Sequence, residues 1–191
     1  MAANPRTAKG HILDRPIKKA AGEVSLSAFA FLLSEIVSYS QGRVRGVLNL
    51  EGRLSDVGYS VGARLMELIS WRDKAQKREI KLVGILTFIH STLWRALFGK
   101  PADSLERSIE EHDQYMIIEN EMLITRFISV PRDYSNLNLA AFVAGIIHGV
   151  LDAAEFPPEK VTAIAVPGVK EGQPKTVILI KFTPAVIARD H

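Results

Sequence analysis

Five histidines, one acidic run and two glycine–lysine segments are the parts of this chain that could support chemistry, and none makes a working pattern. The histidines stand singly at positions 11, 90, 112, 148 and 191. His90 and His148 fall on different predicted helices, so a metal pair between them would need a tertiary coincidence, and no ligand-spacing motif accompanies either. Each reads as a satisfied or half-exposed histidine. Glu110, Glu111 and Asp113 could suggest a carboxylate site, but side chains alternate along an extended segment and these three point in different directions. They read as a solvated acidic edge. Gly99-Lys100-Pro101 sets a proline beside the lysine and lacks the upstream glycine of a phosphate loop. Gly168-Val-Lys-Glu-Gly172 lies inside a predicted β-hairpin, not between a strand and a helix. There is no cysteine, which removes disulfides, thiolate zinc sites, thiol catalysis and S-palmitoylation together and fits a reducing compartment. The expectation is a chain with no catalytic residue, no metal site and no cofactor.

The elements that would have to position any site come next. At 191 residues and 47% hydrophobic content the chain suits one domain with a sizeable core. Its net charge of +3 is small but unevenly placed. Residues 1–22 carry Arg6, Lys9, Arg15, Lys18 and Lys19 against Asp14 and read as a flexible basic arm, with residues 23–191 as the single domain. The arm lacks interleaved aromatics, which argues against nucleic acid; weak, salt-sensitive attraction to an anionic membrane is the contact expected of it. Residues 103–121 are acidic, with seven carboxylates against Arg107. The polar start, broken by Pro5 and Pro16, does not read as a signal peptide. Leu82 to Phe98 is the most membrane-like stretch, but Thr87, His90, Ser91, Thr92 and Arg95 interrupt it and it reads as a buried core helix.

Periodicity predicts a first helix from Ser25 to Gln41, capped by Ser25 or Ser27. A second helix begins after Leu50, with Leu54, Val57, Val61, Leu65 and Leu68 as its apolar stripe up to Trp71. Residues 72–79 form a charged connector, and Lys81 to Phe98 makes a third helix stopped by Gly99 and Pro101. A hairpin follows, with strands Tyr115–Ile118 and Leu123–Val130 joined at Glu119-Asn120-Glu121; residues 103–112 extend the first strand or form a loop. A helix from Leu139 to Ala154 carries Ala141, Gly145 and Gly149 four apart, a small-residue groove that a backbone or sheet can approach closely, and the helix is expected to lie flat on a sheet. Val161–Val166 and Thr176–Phe182 make a second hairpin. The economical sum is an α+β fold, a four-stranded antiparallel sheet with helices on one face.

The run Glu23-Val-Ser-Leu-Ser-Ala-Phe-Ala-Phe-Leu-Leu-Ser-Glu-Ile36 holds more apolar surface than one core needs. Leu26, Phe29, Ala30, Leu33, Ile36 and Val37 share a face, while Phe31, Leu32 and Tyr39 point elsewhere. From the residues alone, that surplus either covers the second and third helices or meets a protein partner.

The same run resembles the first helix of small core subunits of the trafficking protein particle (TRAPP) complex, a vesicle-tethering assembly. Three later stretches carry the resemblance: Ser91-Thr-Leu-Trp-Arg-Ala-Leu-Phe-Gly-Lys100; Ile128-Ser-Val-Pro131 with Leu137-Asn-Leu-Ala-Ala-Phe-Val-Ala-Gly-Ile-Ile147; and Ala185-Val-Ile-Ala-Arg-Asp190. They keep order and spread from residue 23 to the C-terminus. The resemblance implies a helix-rich TRAPP small-subunit α/β plait and a non-catalytic place in a complex that acts collectively as a Rab guanine nucleotide exchange factor. It implies direct pairing with TRAPP subunit 3, with subunit 2 nearby, and a cytoplasmic protein peripheral at cis-Golgi and ER-derived membranes. Because these subunits pair mainly through their first two helices, Phe31, Leu32, Glu35 and Tyr39 become the expected partner interface. Subunit 3 of the family carries an acylated cysteine whose chain enters a hydrophobic channel. This chain has no cysteine, so any such channel here must be filled by side chains or a non-covalent ligand. The alternative is therefore a stand-alone lipid- or hydrocarbon-binding module of the same fold.

Overall fold

Alternating burial along two central strands sets the core of the molecule. A computed structural model describes residues 24–72, 78–126, 128–167 and 174–189. The predicted arm over residues 1–22, most of the charged connector and the tip of the last hairpin lie outside them. The sheet has four antiparallel strands in the order β1 (Ser104–Arg107), β2 (Gln114–Glu119), β4 (Lys175–Phe182) and β3 (Pro158–Val166). Tyr115 pairs with Ile180, Ile117 with Ile178 and Glu119 with Thr176, and all six are buried on one face. That face receives the helices, including Leu82, Ile85, Leu86, Leu93 and Trp94, in one continuous core.

The first hairpin differs from the expectation. Its strands are Ser104–Arg107 and Gln114–Glu119, whereas the described residues of 123–130 form no strand: Leu123 to Arg126 is a turn in which Thr125 N and Oγ1 both donate to the Met122 carbonyl. The apolar run there is real, but Met122 and Ile124 use it to plug the core rather than to alternate. Sequence periodicity cannot separate a short strand from a buried turn.

Helix α1 spans Leu26–Gln41 and α2 spans Val47–Arg72, joined through Gly46, whose φ of 84° is the left-handed conformation glycine adopts freely. Thus α2 starts before Leu50, not after it. Ser25 occupies the N-cap position of α1, yet its hydroxyl shares a 2.6 Å hydrogen bond with Ser27 and caps no amide. The predicted third helix is α3 (Leu82–Phe88), a π-helical turn (Ile89–Leu93) and α4 (Trp94–Phe98) in succession. The His90 carbonyl accepts a 3.0 Å bond from Ala102 N after the chain reverses at Gly99, where φ is 79°.

Helix α5 (Ala141–Ala153) is apolar almost all round because it is buried almost all round, between α2 and the sheet. Gly145 and Gly149 receive the backbone of α2, while the helix packs on the sheet through its other side. A Cβ on Gly145 would lie 2.0 Å from the Ser55 carbonyl oxygen, and one on Gly58 2.0 Å from that of Phe142. The buried positions of α2 are therefore Leu50, Leu54, Gly58, Gly62 and Ile69, while Val57, Leu65 and Leu68 of the predicted stripe are half-buried and Val61 is exposed. Leu54 of the stripe is fully buried and Val57 and Leu65 pack against the core, but glycines give no hydrophobic signal, so the pattern of large residues misses that the buried face is turned toward Gly58 and Gly62. Asn138 fixes where α5 begins: its side-chain oxygen accepts from Ala140 N, its amide donates 2.8 Å to the Ala163 carbonyl on β3, and its backbone N–H donates to Glu51 of α2.

Candidate functional site

Helix α1 has one buried edge and one bare one. Leu33 is 2% exposed, and Phe29, Ile36 and Val37 pack half-buried against the core. On the other side Phe31 is 76% exposed, Leu32 59% and Tyr39 52%. Leu26, expected to face the core, is instead 38% exposed. It lines a groove of about 510 Å³ with Ala30, Phe31 and Ser34, whose far wall is Ile128 and Ser129. A second groove of about 300 Å³ runs between Glu35, Ile36 and Tyr39 of α1 and Arg53 and Val57 of α2. The Tyr39 ring is held from one side by Arg43, whose guanidinium lies 3.4 Å from the ring centroid while its Nη1 donates to the Tyr39 carbonyl. Such a cation–ring contact orients the aromatic while leaving its outer surface free.

These two grooves bring Phe31, Glu35 and Tyr39 onto one connected surface, with Leu32 beside them. Sequence reasoning missed Ile128 as a wall of the first groove, because the apolar run around it reads as a strand. What the surface offers is apolar area with two fixed charges, Glu35 and Arg53, and no convergent polar groups.

The titratable groups elsewhere serve the fold. His90 lies half-buried on the π-helical turn, and His148 stacks edge-on against Tyr59 with ring centroids 5.4 Å apart. The Tyr59 hydroxyl donates to Asp152, and that hydrogen bond to a charged acceptor pushes its pKa up. Among the described residues no group of three or more His, Cys, Asp or Glu is placed to hold a metal ion. Glu110 and Glu111 are exposed in the loop between β1 and β2.

Glu119, read from sequence as part of a turn, is the one buried carboxylate among the described residues, at 2% exposure. It accepts from Trp94 Nε1 at 2.9 Å and from the Lys100 ammonium, which raises the lysine above its ordinary value. Next to it, burial works to raise the Asp103 carboxyl. The Asn120 backbone N–H at 2.7 Å and the Lys100 charge outweigh that effect and hold it below the usual range. This cluster locks α4 to the end of β2.

Residues 29–183 match the family described as Transport protein particle (TRAPP) component. The chain belongs to this TRAPP family. Trafficking protein particle complex subunit 5 of Dictyostelium discoideum is 57% identical over 182 residues, covering 94% of this chain and 96% of that protein. The human protein of the same name is 44% identical over 191 residues, covering 100% and 97%. A crystal structure of TRAPP complex subunit 3 from Naegleria fowleri, covalently bound to palmitic acid, superposes with a TM-score of 0.67 at 17% identity, covering 83% of this chain and 95% of that one. The fold is thus a TRAPP small-subunit α+β fold, and this TRAPP component works in vesicle trafficking. Without a cysteine it cannot hold an acyl chain through a thioester. Its C-terminal stretch closes the domain: α6 (Pro184–Ala188) buries Val186, and Arg189 donates to the Glu155 carbonyl and lies 5.5 Å above the Phe156 ring. Among the described residues no helix is long and apolar enough to cross a membrane.

Proposed function

We propose that this TRAPP component is a non-catalytic core subunit that pairs with TRAPP subunit 3 through the outward face of α1. Phe31, Leu32, Glu35 and Tyr39 form the contact, and TRAPP subunit 2 and other subunits lie nearby. The observation that supports it is the bare apolar edge of α1, Phe31 above all, in a chain this similar to subunit 5 over its whole length. Covering Phe31 and Leu32 contributes on the order of 2 kcal/mol each by apolar area. In this reading the assembled core is the guanine nucleotide exchange factor for a Rab GTPase in ER-to-Golgi and Golgi transport. This chain supplies rigid surface to that core, at cytoplasmic faces of cis-Golgi and ER-derived membranes. The basic arm adds a weak, salt-sensitive attraction to anionic lipid.

The test is gentle purification of the tagged full chain from its own cells. Subunit 3 is expected in equimolar amount, together with Rab exchange activity that the isolated chain lacks. Recovery of a monomer alone, or exchange by the isolated chain, would count against the reading.

A further inference from the structure

Among the described residues the core-forming helices pack on one face of the sheet, yet both central strands are apolar on both faces. Strand runs with no alternation belong to sheets buried on two sides. On the uncovered face Met116, Ile118, Val177 and Leu179 stand half-buried beside the exposed Ile164, and none of them joins the core. The register makes them two adjacent cross-strand rows: Thr162, Leu179 and Met116, then Ile164, Val177 and Ile118.

Lysines border this band on both sides. Lys160 and Lys181 pair in the row beyond Leu179, and Lys175 sits in the row beyond Val177. From Lys181 to Lys175 is six strand residues, roughly 20 Å at about 3.4 Å per residue. That spacing exceeds the diameter of an α-helix with its side chains, about 10–12 Å, so one helix fits on the apolar band between the lysines. Lys181 has an acidic neighbour in Glu159 at 3.6 Å, and Glu106 stands at the β1 end of the band. Lys160 and Lys175 have no acidic partner among the described residues.

We infer that this sheet face docks an amphipathic α-helix of another protein, lying across the strands with an aliphatic stripe against Val177 and Leu179 and acidic residues on both flanks. Flanks of that charge meet Lys160 on one side and Lys175 on the other. The chain's own residues 1–22 carry a net positive charge and are the wrong occupant for a lysine-bordered band. The face is separate from α1, so a subunit already paired through α1 still presents it.

The experiment places a photo-crosslinking phenylalanine analogue at Leu179 in the full chain, within the purified native TRAPP complex. The expected crosslink falls on a helix of a partner protein with Asp or Glu on both sides of its apolar stripe. Lys160→Glu with Lys175→Glu should lower its yield roughly tenfold, as an interface with reversed charges does, while Lys→Arg at both sites retains it. Thermal melting of these variants should match the wild type, because neither lysine touches the core. The inference is overturned by a crosslink to lipid, to residues 1–22 of the same chain or to a non-helical or basic segment. It is equally overturned by no crosslink, or by a yield that ignores charge reversal. Sedimentation with phosphatidylserine vesicles that depends on the same two lysines would assign the face to a membrane instead.

Discussion

Replacing Gly145 with alanine adds one methyl group at the crossing of α2 and α5, and the structure sets the size of the effect. The new Cβ would stand 2.0 Å from the Ser55 carbonyl oxygen, 2.7 Å from its carbon and 2.8 Å from the Ser55 Cα. All three are backbone atoms, so no side chain can swing aside. Relief requires the helices to part by about 1 Å, which forfeits a quarter to a half of the dispersion well for every contact stretched. Overpacking of this kind costs ~1–3 kcal/mol, and a rigid helix pair belongs at the upper end. Alanine returns about 1 kcal/mol of helix propensity, leaving a net loss of about 2 kcal/mol. Gly52 supplies the control, since it lies within α2 and a Cβ there would meet nothing within 4 Å. In a domain of this size 1 kcal/mol moves the midpoint by about 2–4 °C. Differential scanning calorimetry should then show Gly145→Ala melting about 4–8 °C lower and Gly52→Ala about 2 °C or more higher. Equal gains for both would mean that the helices do not touch through their glycines, and the packing argument would fail.

Phe31→Asp should leave the subunit folded by circular dichroism while weakening its pull-down with TRAPP subunit 3, because an unpaired charge in a buried contact costs several kcal/mol. Leu33→Asp should unfold the domain or render it insoluble; if both variants melt alike, α1 has no free face. Asp103, held below its ordinary pKa, adds stability that is present above about pH 4 and lost as pH falls through its lowered value. Asp103→Asn should therefore be less stable than wild type at pH 7, with the gap closing below about pH 4; a gap that persists in acid contradicts the assignment. Trp94→Phe keeps most of the ring volume but leaves Glu119 short of a donor, so a loss of about 1–3 kcal/mol is expected in urea unfolding. A Trp94→Phe variant as stable as wild type would show that the buried carboxylate does not need the indole.

Much of the architecture is legible in the chain itself. Leu26 to Val37 recur with helical spacing, Gly99 and Pro101 stop a helix, and Thr176–Phe182 alternates burial as a strand must, because these signals are local and each depends on a few neighbouring residues. The lack of cysteine and of any phosphate loop or ligand motif is equally a property of the sequence. The absence of large side chains at Gly58, Gly62, Gly145 and Gly149 is visible there too, but not what those gaps receive. Only packing decided that each of these glycines faces the backbone of the opposite helix, since a close approach is set by a partner far away in sequence, as Gly145 meets Ser55. Packing also turned Leu123 to Arg126 from a strand into a core-plugging turn and buried Glu119, because Trp94 and Lys100 had to arrive beside it. Phe31 and Phe29 are the same residue two positions apart. Which of them meets water is a question of where α1 lies on α2 and the core, and no local pattern contains that answer.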